Sequence, residues 1–166
     1  MASAHEQWMA RLLRRAGQVG RDGEVPVAAV LLDAAGRAIG WGSNRRERQQ
    51  DPLGHAELVA LQRAARLRQD WRFQDCTLLV TLEPCPMCAG ALVQARVGQV
   101  VFGAGDPKRG ALGGTLNLAE HDSAHHRMTV VGGVLVAEAE QQLKGWFQRR
   151  RQQKKEQPGE RVLETG

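Results

Sequence analysis

The chain has 166 residues, 42% of them hydrophobic and 25% charged, with a net charge of +5. That length suits one domain able to bury its own core, and three cysteines offer no disulfide framework. No apolar stretch reaches the length of a membrane span, so a soluble, cytoplasmic protein is expected, and its basic excess suits a polyanionic partner.

Arg11, Arg14 and Arg15 lie near the start, where a transit peptide would be basic. Met9, Leu12, Leu13 and Ala16 nevertheless fall at i, i+3, i+4 and i+7, the stripe of an ordinary surface helix. Residues 25–32 form a continuous apolar run; Asp33-Ala34-Ala35-Gly36 is turn chemistry, and 37–42 returns as a second strand, so a hairpin is expected. A polar loop over 43–54 leads to a helix starting near His55. Residues 77–82 predict a buried strand, headed by Cys76 as a small core residue. A helix through 89–96, a strand at 99–103 and a fifth strand over 128–135 follow.

A last helix is expected from about 136 to 148. Arg149, Arg150 and Arg151 come after it, and residues 152–166 read as a polar, flexible tail to a domain spanning 1–151. The strand, helix, strand order around 77–103 implies a parallel pair with a helical crossover. The expected fold class is α/β, a three-layer α/β/α sandwich on a mixed five-stranded sheet, with both site helices on one face.

The chemistry lies in two short segments, His55-Ala56-Glu57 and Pro84-Cys85-Pro86-Met87-Cys88. Cys85 and Cys88 are three apart, so at the first turn of a helix both sulfurs face one side, and the positive helix end favours their thiolates. Pro84 and Pro86 suit that start. His55 supplies a third ligand, and three ligands leave a fourth position for water, the mark of a catalytic rather than a structural zinc site. Glu57 is the free carboxylate beside it. A redox pair would need neither His55 nor Glu57, and a four-ligand knuckle would need a second ligand pair that the sequence lacks. H-x-E followed by P-C-x-x-C is the pattern of zinc-dependent nucleobase deaminases.

With Glu24-Val25-Pro26-Val27, Asn44-Arg45, Asp51-Pro52, the run 81–91 and Val101-Phe102-Gly103-Ala104 with Asp106 and Lys108, the chain resembles the cytidine deaminase superfamily. Within it, the likeness is to the bacterial tRNA-specific adenosine deaminases, which convert the wobble adenosine of an arginine tRNA to inosine. The resemblance implies one zinc ion per chain held by His55, Cys85 and Cys88, Glu57 as proton shuttle, a homodimer, and a tRNA anticodon stem-loop as substrate. It also makes Asn44 the partner of the flipped purine, Val27 the wall beneath it, and Asp106 a contact near the ribose. Ala56 and Pro84 join them as substrate-binding positions. Trp146, Phe147, Arg149 and Arg150 resemble the C-terminal helix that approaches the anticodon loop.

The chain departs from the family pattern at Ala28, where Gly is expected, and at His125, where Asn is common; the second departure bears on the role of His125, His126 and Arg127. By residue type alone, Asn44 and Asp106 also suit turn geometry, and Trp146 and Phe147 suit core or dimer contacts. Two alternatives compete: a superfamily deaminase acting on a free base or nucleotide (guanine, cytosine or deoxycytidylate), and a non-catalytic RNA-binding subunit. The basic C-terminal helix argues against the first, and Glu57 against the second.

Overall fold

The computed structural model describes residues 1–157. Helix α1 (Ala4–Arg21) opens with a reciprocal capping box between Ser3 and Glu6 and buries Met9, Leu12, Ala16 and Val19. Strands β1 (Ala28–Leu32) and β2 (Ala38–Ser43) form the expected hairpin, turned by Asp33, whose Oδ1 accepts from the Ala35 and Arg37 N–H groups. A short helix α2 (Arg46–Gln49) and the longer α3 (Ala56–Arg68) follow. Then come β3 (Thr77–Leu82), α4 (Pro86–Gln94), β4 (Gln99–Ala104), β5 (Thr129–Val131) and α5 (Val136–Glu156).

The strand order is β2-β1-β3-β4-β5. β1 runs antiparallel to both neighbours, whereas β3, β4 and β5 are mutually parallel. It follows that β2, β3 and β4 all end at the same edge of the sheet. β1 is apolar throughout because both its faces are covered: Ala29 and Leu31 join the core beneath α3 and α4, while Ala28, Val30 and Leu32 join the one beneath α1. The result is the expected mixed α/β/α sandwich with both site helices on one face. Leu78 and Leu79 are fully buried on opposite faces of β3, and truncating either to Ala would cost about 2–5 kcal/mol. Ala28, the departure from glycine, is fully buried and its N–H donates to Thr81 Oγ1.

Helix α3 packs closely on β2 because Gly40 and Gly42 carry no side chain. A Cβ at either position would collide with the carbonyl oxygens of Ala60 or Ala56.

Three elements differ from expectation. The polar loop contains α2, four residues long, too short to show a period. The fifth strand stops at Val131 because Gly133 and Leu135 adopt left-handed conformations that turn the chain into α5, and Gly132 packs where a Cβ would meet the Phe102 ring. Helix α5 continues to Glu156, since residues 148–156 are all good helix formers. Arg149, Arg150 and Arg151 therefore lie on the helix, and the expected boundary at 151 falls within it. Residues 158–166, the rest of the expected tail, lie outside the described residues.

Candidate active site

A cleft of about 210 Å³ opens where β2, β3 and β4 end and the N-termini of α3 and α4 meet. His55 is the N-cap of α3, Cys85 is the N-cap of α4, and neither side chain caps its own helix. They face each other instead. His55 Nδ1 lies 3.6 Å from Cys85 Sγ and 3.5 Å from Cys88 Sγ, and the three donor atoms all fall within 4.8 Å of one another.

A tetrahedral zinc site with Zn–N near 2.0 Å and Zn–S near 2.3 Å has an N···S edge of about 3.5 Å. The donor set fits a zinc ion in both chemistry and spacing. The Cys85 thiol is pulled down to about 4, first by hydrogen bonding from Cys88 and then by His55, whereas the Cys88 thiol is pushed up by the same bond and by burial. Cys85 is therefore the readier thiolate of the two, and binding a metal requires both thiols to lose their protons.

Glu57, on the first turn of α3, lines the cleft with only 4% of its surface exposed. Burial raises its carboxyl pKa, and the neighbouring Cys85 charge adds to the rise. A carboxyl held this way accepts and returns protons nearer neutrality than an exposed one.

Val27, Asn44 and Asp106 line the same cleft. Asn44 Oδ1 accepts from the Ala56 N–H at 3.0 Å, and Nδ2 donates to the Val25 carbonyl at 3.2 Å. Since the Ala56 N–H can only donate, the amide orientation is fixed. Asn44 therefore caps α3 from a distance and keeps its second amide hydrogen for the cleft. Asp106 Oδ1 accepts from the Lys108 and Arg109 N–H groups, combining the turn role with a place at the rim. Ala56 is fully buried with its N–H bonded to Asn44, and the Pro84 carbonyl accepts from the Ala111 N–H.

Phe147, Arg149 and Arg150 do not line this cleft. Arg149 and Arg150 border a separate groove of about 670 Å³ between α1 and α5. Trp146 anchors the groove by donating to the Gly20 carbonyl, and Phe147, exposed, meets the Trp146 ring edge-on at 5.0 Å. His126 Nε2 lies 2.8 Å from the Val97 carbonyl, near the opposite end of the sheet from the cleft.

Sequence reasoning did not single out Arg46 and Arg109, and it gave no role to Glu24 and Glu83, which it met only inside longer segments; all four line the cleft. Glu24 and Glu83 are 1% and 5% exposed. Glu24 accepts from the Glu47 and Arg48 N–H groups, capping α2, whose own cap residue Arg45 makes no side-chain capping bond. Glu83 accepts from the Asp106, Leu112 and Gly114 N–H groups. An acidic residue at the end of an apolar strand, as at Glu83, was the available signal.

Fold and site together define a deaminase of the cytidine deaminase-like type. The model of the MafB19-like deaminase family matches residues 3–151. The chain is 43% identical to the tRNA-specific adenosine deaminase of Haemophilus influenzae over 150 residues, covering 90% of this chain and 87% of the other. It is 42% identical to the enzyme of the same name from Bacillus subtilis, covering 90% and 92%. A solved structure from work on A-to-I editing by tRNA:A34 deaminases at the wobble position of transfer RNA superposes with a TM-score of 0.79 at 34% identity, covering 82% of this chain and 99% of that one. The chain belongs to the MafB19-like deaminases and, among them, to the tRNA-specific adenosine deaminases.

Proposed function

We propose that the protein is a zinc-dependent enzyme that hydrolytically deaminates adenosine to inosine at the wobble position of an arginine tRNA anticodon. The observation that carries this reading is the convergence of His55, Cys85 and Cys88 beside the buried Glu57. The identity to tRNA-specific adenosine deaminases over nine-tenths of the chain supports a tRNA adenosine as the substrate, and the choice of an arginine tRNA follows the resemblance. The resemblance implies a homodimer, and a tRNA substrate suits a cytoplasmic enzyme.

His55, Cys85 and Cys88 would hold the zinc ion, which supplies Lewis-acid activation of water for attack at C6 of the adenine. The remaining chemistry belongs to Glu57. Its carboxylate takes the proton from the attacking water, delivers it to N1 so that C6 becomes more electrophilic, and then moves a proton to the departing ammonia. One carboxyl serves all these transfers, and burial, by raising its pKa, makes the protonated form that donates easier to reach. Val27 supplies an apolar surface beneath the extruded base, and the second amide hydrogen of Asn44 meets the purine edge. The target base has to leave its stack to enter a cleft of this size, which suits an anticodon loop better than a duplex.

The test is to incubate the zinc-loaded protein with an arginine tRNA anticodon hairpin and digest the RNA to nucleosides. Inosine at the wobble position is expected. Turnover of free adenine, guanine or cytosine without inosine in the hairpin would establish the free-base reading instead.

A further inference from the structure

Two arginines line the catalytic cleft from opposite flanks. Arg46 follows β2, Arg109 follows β4, and both strands end at the cleft edge. Three strand spacings separate β2 from β4, roughly 14 Å at about 4.8 Å each, room for a nucleoside between the two flanks. Arg46 is 52% exposed and makes only a loose 3.9 Å contact with Glu47, itself exposed. Arg109 is exposed and has no ion-pair partner among the described residues. Exposed guanidinium groups that are at most loosely paired can meet an anionic ligand at a cleft mouth.

Each arginine sits on a segment fixed by a buried carboxylate. Glu24 gathers the N–H groups that follow Arg46 and so holds α2 in place. Glu83 gathers the Asp106 N–H, and Asp106 in turn accepts from the Arg109 N–H. These carboxylates take their hydrogen bonds from backbone N–H groups, leaving Arg46 and Arg109 uncommitted. The cleft therefore presents carboxylates already hydrogen-bonded by backbone inside and two solvent-facing guanidinium groups at its mouth, placed to meet the charged backbone of a strand while the neutral base enters.

We propose that Arg46 and Arg109 form a two-sided clamp on the phosphates flanking the target nucleoside. The clamp selects a base within a polynucleotide over a free base or nucleoside. It deepens the RNA-deaminase reading above and rests on it.

The test is a salt titration of anticodon-hairpin binding by wild type, Arg46→Gln, Arg109→Gln and the double variant. Arg66→Gln, an exposed cation at the far end of α3, controls for net charge. Each clamp variant should flatten the log affinity versus log salt slope by about 0.7, and the double variant by about 1.4, with the control unchanged. Zinc content and melting temperature report whether each variant is folded.

A second arm replaces the two phosphates flanking the target with neutral methylphosphonates. The difference between wild type and double variant should then vanish. If the slope stays unchanged in the folded double variant, or the methylphosphonates weaken wild type and variant alike, the clamp is wrong although the wild type still makes inosine. No inosine from the wild-type hairpin reaction overturns the underlying reading as well.

Discussion

Replacing Asn44 by Ala tests whether one side chain both builds the site and reads the base. The substitution orphans the Ala56 N–H, which is fully buried at the start of α3, and removes the donor to the Val25 carbonyl. Loss of a helix cap costs about 1 kcal/mol and loss of an ordinary hydrogen bond about 1 kcal/mol more. The Val25 carbonyl keeps a bond from the Val27 N–H, so the second figure is not larger. The expected loss is about 2 kcal/mol, a drop in melting temperature of about 4–8 °C for a chain of this size.

Because His55 begins the same helix, zinc affinity should weaken too, which competition with a chromogenic chelator would measure. Hairpin binding should lose a further 1–3 kcal/mol or so from the unpaired purine edge, with no change in salt slope. Asn44→Asp separates the roles: it keeps an acceptor for Ala56 but no donor, so part of the stability returns and base binding does not. An Ala variant melting within about 1 °C of wild type would refute the capping argument. Equal hairpin affinity in wild type and both variants would refute base reading.

Purified protein should contain about one zinc per chain, and Cys88→Ala should lose both metal and stability; full occupancy in that variant, measured by elemental analysis, would sink the ligand assignment. Glu57→Ala should keep zinc and RNA binding yet lose at least ~10²–10⁴ in turnover, since general acid–base catalysis is removed, and near wild-type single-turnover rates would place the shuttle elsewhere. Changing Arg149, Arg150 and Arg151 together to Ala should flatten the salt slope by up to about 0.7 for each phosphate the variant no longer neutralises; an unchanged slope would mean that this end of α5 is merely solvated. Cys76, buried and with its thiol pushed up to about 11 by desolvation, should resist a disulfide reagent at pH 8 after Cys85 and Cys88 have been freed by a chelator, and rapid labelling of all three thiols would contradict its burial.

The cluster of candidate ligands was legible because metal chemistry restricts residue type and spacing together. Two thiols a helical turn apart and an imidazole leave few other readings, and the structure brings all three to one point. Helix α1 and the hairpin were legible for a different reason, since apolar period and turn chemistry repeat over many residues. Where a single residue decides an element, the pattern is silent. Leu135 adopts a left-handed conformation where the chain turns from the fifth strand into α5, and nothing about leucine announces it.

The polar scaffold of the cleft was hidden for a related reason: its partners are backbone groups. Glu83 binds three N–H groups that lie 23 to 31 residues away, and a peptide N–H has no sequence signature. Asn44 shows how far this blurs function. By residue type it suited a turn, and by resemblance a purine contact; its bond to Ala56 N–H adds a third use, one that makes the other two compatible. A side chain that caps α3 is held still by the helix it serves, so its remaining amide hydrogen is aimed before any base arrives. Gly40 and Gly42 act in the same direction, letting the α3 backbone lie against β2 at a distance no side chain would allow. The accuracy of the site thus comes from the fit of helix to strand as much as from the residues that touch substrate.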